Sequence, residues 1–325
     1  MNGFARLDST YDLYLSMTWM SDNNHGICGH IYEIIDYYLL LHTKFKIGIL
    51  ICEDIGWETF ANCISTKYEV SSSIIQNIKE HTYFHYKPKH VIGKDTSILF
   101  VDGGLQHTYF NEGCTLTFKN IFCFRCSPTQ THKGLPYKNL KLLQDTRVYD
   151  DIDNDIANHY VKKINFKHYK KYDAIERTDT ALLYLTSNCR RLCNISLLDI
   201  MFTYKFNSYV ILTNTPELYK DVAKDFPQVS FPAMPVENIF HKFDTYIYTP
   251  TGKNGSVLQK SFDCSPRFIA ECAHYGKNVI YHDIDDDYLS HDTGLKYRKY
   301  DIENDFQSLY LDDVDDIIDI LYESV

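Results

Sequence analysis

The chain has 325 residues, 44% of them hydrophobic and 23% charged, with no long biased tract, which marks a globular, soluble polypeptide. That length is long for one core and comfortable for two domains. A net charge of −10 speaks against a uniformly basic nucleic-acid binder. The charge is nevertheless uneven. Residues 1–179 hold 20 Lys/Arg and 21 Asp/Glu, net −1, whereas residues 180–325 hold 13 and 22, net −9. Within the first half, residues 113–171 hold 11 basic and 5 acidic residues, net +6. A basic belt beside an acidic half suits a polyanion binder, and an unevenly charged solvated surface would give the same counts. No run of about eighteen apolar residues is present, so no membrane-spanning helix is expected. The opening MNGFARLDSTYD lacks the apolar core of a signal peptide, and ten scattered cysteines suggest reduced thiols in a cytoplasm.

Residues 11–20 (YDLYLSMTWM) predict a first strand, followed by the loop SDNNHGICGH. Residues 31–43 then predict a helix, with Ile31, Ile34, Ile35, Tyr38 and Leu39 at helical spacing. Strand, glycine-containing loop and helix is the arrangement by which α/β folds offer backbone N–H groups to a phosphate, and Gly26 and Gly29 would let a ligand approach closely. The GxGxxG fingerprint is absent, and a plain βα turn fits the same residues. Residues 46–52 predict a second strand, residues 57–67 and 72–81 two helices, and residues 97–101 (SILFV) a third strand. Asp102 closes that strand ahead of Gly103 and Gly104, where open α/β sheets bind ligands, though an ordinary turn aspartate would look alike.

Residues 119–126 (KNIFCFRC) predict a fourth strand. The pairs Cys123/Cys126 and Cys189/Cys193 make a zinc site conceivable, but Cys123 falls inside a strand and no metal is assigned. From residue 130 the chain turns basic, with His132, Lys133, Lys138, Lys141 and Arg147, and KKINFKHYKK (162–171) interleaves five lysines, Lys163 and Lys167 among them, with Phe166, His168 and Tyr169. Lysines for phosphates and aromatics for bases compose a nucleic-acid groove; a linker with solvated lysines is the alternative.

Residues 173–180 (DAIERTDT) are polar and predict the domain boundary, giving domains of 1–178 and 179–325. TALLYLT restarts the α/β pattern, and SNCRRLC places Arg190 and Arg191 in the loop after that strand, where two guanidinium groups can clamp a diphosphate. Strand 208–213, helix 215–226 and strand 244–250 follow. SFDCSPRFIAECAHYGKNVIYH (261–282) then reads as loop, helix, stop and strand: Ser265 is a good N-cap, Pro266 suits the first helical position, and Gly276 suits a left-handed C-cap. Arg267 and Glu271, four apart, share one face. Arg267 suits an anion at a helix N-terminus and Glu271 a sugar diol, or the two form an ordinary surface pair. DIDDD (283–287) could hold a divalent cation or be a solvated acidic loop. A last helix near 312–322 is expected to pack back on the first domain.

Together these features describe a nucleotide-sugar site in the cleft between two Rossmann-like halves. The sequence resembles the DNA glucosyltransferases of T-even bacteriophages. KINFKHYKKYDAIERTDTALLYLTSNCRRLCNISLLD resembles the hinge, first C-terminal strand and arginine loop of the β-type enzyme. SPRFIAECAHYGKNVIYHDID resembles its ribose-binding helix and strand. NNHGICGH and YLSHDTGLKY resemble segments of the α-type enzyme. The resemblance implies an α/β fold of GT-B class, two Rossmann-like domains facing across a cleft, with the first holding DNA and the second a UDP-sugar. It implies that Glu271 holds the ribose, Arg190 with Arg191 the diphosphate, and that Gly29 lies against the donor phosphates. It also implies transfer of glucose, or a pentose such as arabinose, to 5-hydroxymethylcytosine in double-stranded DNA by a monomeric enzyme in the cytoplasm of an infected bacterium. The family's Arg precedes its ribose Glu by three positions, whereas Arg267 precedes Glu271 by four.

The family's base aspartate has no counterpart at the end of KNIFCFRC, where Arg125-Cys126-Ser127 stands. The base therefore cannot be carried over from the family; Asp102, which ends an apolar strand with two glycines after it leaving room for an acceptor, is the expected catalytic base, ahead of His132 and Asp145, with His25 expected to stand protonated beside phosphate. A glycosyltransferase for a polysaccharide, protein or small molecule is one alternative. A non-catalytic nucleotide-sugar or nucleic-acid binding protein is another.

Overall fold

The computed structural model describes residues 4–6, 10–17, 29–51, 56–84, 90–101, 115–124, 139–145, 158–160, 164–172, 178–185, 194–213, 215–232, 238–249, 251–252, 260–261, 267–282 and 315–322. The chain divides into two compact units. One comprises residues 1–170, 289–297 and 308–325; the other comprises residues 171–288 and 298–307. Among the described residues no strand of one unit pairs with a strand of the other.

The first unit is built on a parallel sheet. Its strands are β1 (Phe4–Arg6), β2 (Leu13–Met17), β3 (Ile47–Ile51), β4 (Thr82–Phe84), β5 (His90–Phe100), β6 (Thr115–Phe124), β7 (Leu140–Asp145) and β8 (Asn158–Tyr160). They run in the order β4-β3-β2-β5-β6-β7-β8, with β1 beside the start of β5. Every residue of β2 and β3 is buried, as a parallel sheet covered on both faces requires. Helices α1 (Gly29–Leu41), α2 (Gly56–Lys67) and α3 (Ser72–Glu80) supply the crossovers, and Ser71 caps α3 by accepting the Ile74 N–H at 3.4 Å.

The strand order contains a reversal. From β2 the chain winds outward through β3 to β4, then returns to lay β5 on the other flank of β2. The carboxyl ends of β2 and β5 therefore flank a topological switch point, where sheets of this class bind ligands. β5 starts well before the strand expected at 97–101 and pairs with β6 on both sides of a register shift between Gly93 and Ser97; the Thr96 hydroxyl donates to the Gly93 carbonyl at 3.0 Å across that irregularity.

The second unit repeats the plan. Strands β9 (Thr180–Tyr184), β10 (Ser208–Leu212), β11 (Val229–Ser230), β12 (Thr245–Tyr248) and β15 (Asn278–Tyr281) run parallel in the order β11-β10-β9-β12-β15. A two-stranded hairpin pairs β13 (Thr251–Gly252) with β14 (Lys260–Ser261). Helices α4 (Asn194–Thr203), α5 (Lys220–Asp225) and α6 (Arg267–His274) make the crossovers. The single helix expected at 215–226 is instead a 3-10 turn, Pro216–Tyr219, followed by α5. Here the switch point lies between β9 and β12. The final helix, α7 (Asp315–Tyr322), belongs to the first unit: Ile317, Ile318 and Leu321 are buried, and the Tyr322 ring sits 4.8 Å from that of Phe45. No described helix is long and apolar enough to cross a membrane.

Candidate functional site

Helix α6 follows β12 and leads into β15, so as a crossover between parallel strands it begins on the carboxyl side of the second sheet. Its end is fixed by a Schellman pair: the Gly276 N–H donates to the Ala273 carbonyl at 3.1 Å, and the Lys277 N–H to the Cys272 carbonyl at 2.8 Å. Gly276 has φ +63°, a left-handed conformation that suits glycine. Within the helix, Arg267 Nε donates to Glu271 Oε1 at 2.9 Å. The spacing allowed a surface pair, and the structure shows otherwise: Arg267 is 9% exposed and Glu271 1%. Ile269, Ala270 and Cys272 are buried with them.

Phe268 explains part of that burial. Its ring stacks on Tyr184 at 5.3 Å, on Phe240 at 5.3 Å and on Phe243 at 6.2 Å, and meets Tyr246 edge-on at 5.0 Å. Tyr184 ends β9, and Tyr246 lies in β12, so the first turn of α6 is anchored across the two strands that flank the switch point. The buried Glu271 charge reaches its neighbours: burial first, and Glu271 second, push the Cys272 thiol well up. The Tyr275 phenol is pushed up by burial, then by Tyr172 and Glu271.

In the first unit, α1 starts on the carboxyl side of β2. Among the described residues no atom lies within 4 Å of where a Cβ on Gly29 would stand. His30 Nδ1 lies 2.9 Å from Glu33 Oε2, and Glu33 is buried at 4% exposure. One turn on, Asp36 is fully buried and its Oδ1 accepts the Tyr68 hydroxyl at 2.9 Å. Sequence reasoning missed these two carboxylates. Their signal was present: acidic residues inside an apolar helical run, Ile31, Ile34 and Ile35, are the informative exceptions on such a helix.

The basic stretch is only partly a surface. Lys167 is exposed, while the Lys141 ammonium lies 5.6 Å from the centre of the Phe122 ring. Tyr169, expected to stack on bases, is 2% exposed and packs at 5.1 Å against both Tyr68 and Phe166. Its ring packs at the C-terminal end of α2 rather than in an open groove: Tyr68 and Tyr169 form an antiparallel bridge, and the Lys67 ammonium lies 5.9 Å from the centre of the Tyr169 ring. His25, Gly26, Asp102, His132, Lys133, Lys138, Arg147, Lys163, Arg190, Arg191 and Ser265 lie outside the described residues, as do Cys126, Cys189, Cys193 and the DIDDD segment. Asp145 ends β7, with its side chain outside the described part. Val101, just before Asp102 in the sequence, donates its N–H to the Ser16 carbonyl of β2 at 2.9 Å. Among the described residues no group of three or more His, Cys, Asp or Glu could hold a metal ion.

No protein-family model matches the chain, and no curated protein does. Among solved structures, it is similar to a glycosyltransferase from Rickettsia africae ESF-5, at 13% identity and a TM-score of 0.41, over 83% of this chain and 79% of that one.

Proposed function

We propose that the chain is a nucleotide-sugar-dependent glycosyltransferase of GT-B class, moving a sugar from a UDP-sugar to hydroxymethylated cytosine in double-stranded DNA. The observation that carries the donor half is the placement of the buried Arg267–Glu271 pair at the switch point of the second sheet. Arg190 and Arg191 follow β9 and precede α4 in the sequence, after the strand that flanks that switch point. In this reading each member of the pair holds the other's charge until a nucleotide replaces both partners. The ribose diol donates to Glu271, and a phosphate oxygen accepts from Arg267, with Ser265 at the helix start and the two loop arginines on the diphosphate. On the family resemblance, Gly29, with Gly26, is assigned to the donor phosphates.

The acceptor half draws on the family resemblance and on the basic belt at 113–171, with Lys133, Lys138, Lys141, Arg147, Lys163 and Lys167 on DNA phosphates. A base inside a duplex exposes its hydroxymethyl group for reaction only when flipped out. The test is incubation with hydroxymethylated DNA and a panel of UDP-sugars, read by nucleoside mass spectrometry, alongside calorimetry with UDP. A glycosylated nucleoside is the expected product, and Arg190→Ala or Glu271→Ala should weaken UDP binding about tenfold to a hundredfold. UDP binding with no transfer to DNA would move the acceptor to another class. Unchanged UDP binding in both variants would refute the donor site.

A further inference from the structure

Helix α6 has eight residues, too few to hold its shape or its orientation without tertiary contacts. Phe268 supplies them at the first turn. It lies between Arg267 and Glu271 in the sequence, and its direction from the helix axis is about 100° from that of Arg267. Its ring is close to parallel with those of Tyr184, Phe240 and Phe243, at interplanar angles of 21°, 22° and 26°, and it meets Tyr246 at 77°. Such offset and edge-on arrangements attract beyond the area they bury, and they have a preferred geometry. Tyr184 and Tyr246 belong to β9 and β12, the strands on either side of the switch point. Phe240 precedes β12 and also packs at 4.4 Å on Tyr275, just past the end of α6. Two strands and the segment before β12 thus converge on one ring. Holding that ring fixes the rotation of α6 about its own axis, and with it the direction of the row that carries Arg267 and Glu271.

We propose that Phe268 is a positioning residue for the nucleotide, acting through Arg267 and Glu271, whose placement it sets. The proposal rests on the donor half of the glycosyltransferase reading above. A guanidinium and a carboxylate recognise a diphosphate and a diol together only when both stand at the right spacing and angle, and an error of about 1 Å forfeits much of that recognition. A leucine at position 268 stays apolar and keeps α6 packed on the sheet, but it has no ring to stack. It therefore loosens the rotation of the helix while leaving the charged pair chemically intact. A tyrosine keeps the ring and with it the placement. The consequence of losing the ring belongs to donor affinity, out of proportion to the change in stability.

The test is calorimetry with UDP on the full chain and on Phe268→Leu, Phe268→Tyr, Phe240→Leu and Ile200→Ala, with urea unfolding of each. Ile200, on α4, is fully buried in a core cluster to which α6 contributes no described residue, so Ile200→Ala lowers stability without touching α6. Phe268→Leu should weaken UDP binding about tenfold to a hundredfold. Phe268→Tyr, and Ile200→Ala under conditions where it is folded, should stay within about threefold of the unaltered protein. Phe240→Leu removes one of the stacks on Phe268 and should weaken UDP binding in the same direction, which decides the matter if Phe268→Leu does not fold. Hydrogen exchange should show α6 opening more often in Phe268→Leu, with β9 and β10 protected as before, and saturating UDP should restore the protection of α6. The proposal is overturned by unchanged UDP affinity in Phe268→Leu, or by a loss in Phe268→Tyr as large as in Phe268→Leu. It is equally overturned if Ile200→Ala loses as much affinity, because overall stability would then account for the effect. Full UDP affinity in both Phe268→Leu and Phe240→Leu, with an unaltered protein that binds UDP, sinks this proposal alone. An unaltered protein that does not bind UDP sinks the donor reading and the proposal together.

Discussion

A buried carboxylate and a buried guanidinium stabilise a fold only as a pair, and Arg267 with Glu271 tests this directly. Removing one partner strands the other's charge out of water and costs about 3–5 kcal/mol, whereas replacing both with apolar residues of similar size is often neutral. Urea unfolding should therefore show Glu271→Ala weakened by that amount and the double change Arg267→Met with Glu271→Leu close to the unaltered protein. UDP affinity should fall by at least about tenfold in both. A double variant that regains stability and also keeps UDP affinity would make the pair purely structural. Asp244 gives a second residue-scale expectation. Burial pushes its carboxyl up, but the amides of Thr180 and Thr178, the Thr178 hydroxyl and Lys277 outweigh this and hold it below its ordinary 3.8. A carboxyl depressed in the folded state contributes stability that is complete above its unfolded value and fades as pH falls through the folded one. The stability difference between the unaltered protein and Asp244→Asn should thus be constant at neutral pH and shrink below about pH 4. A difference that holds its full size down to pH 2 in denaturant titrations would show that the carboxylate's charge is not what matters.

Single strands show how closely the two sheets are packed. A Cβ on Gly48, in β3, would enter the ring of Tyr14 on the neighbouring β2, and that ring is fully buried with no room to swing away. Gly48→Ala should lower stability by about 1–3 kcal/mol in thermal or urea unfolding. An unchanged midpoint would mean that the β2–β3 contact is softer than its burial indicates. Elements of this kind are legible in the sequence: β2, β3, β9, β10 and β12 are apolar runs with turn residues at their ends, and α1 and α3 carry helical spacing and a cap. What was illegible had a physical reason. β1, β4 and β8 are three residues long and too short to show a period, and Gly93, Lys94 and Asp95 interrupt the pattern of β5 where its register shifts. At the candidate site, the spacing of Arg267 and Glu271 could be read, but their burial could not. It depends on Tyr184, Phe240, Phe243 and Tyr246 packing on Phe268, and their meeting is a product of sheet order rather than of local sequence. Glu33 and Asp36 were hidden for the opposite reason, because acidic residues in an apolar helix read as solvent-facing until the helix is seen to be covered on nearly every side.

At the scale of the whole molecule, the chain's ends meet within one unit. Residues 308–325 are separated from residue 170 by almost the entire second unit, yet they belong with the first. α7 supplies Ile317 and Leu321 at 0% and 1% exposure, and its Tyr322 ring lies against Phe45, just before β3. Closing so long a loop costs entropy that grows only slowly with its length, while burying each aliphatic side chain returns about 1.5–3 kcal/mol, so a two-turn helix can hold its place. The stability of the first unit then depends on residues that follow the second unit in the chain. Leu321→Ala should remove about 2–5 kcal/mol by leaving a cavity. Hydrogen exchange should place the loss in the first unit, at β8 and the segment around Phe45, with β9, β10 and β12 protected as before. UDP affinity, if it resides in the second unit, should change little under conditions where both proteins are folded. Deprotection spread equally over β9–β12 would mean instead that the two units unfold as a single cooperative body, and that the C-terminal helix stabilises the whole chain rather than one half of it.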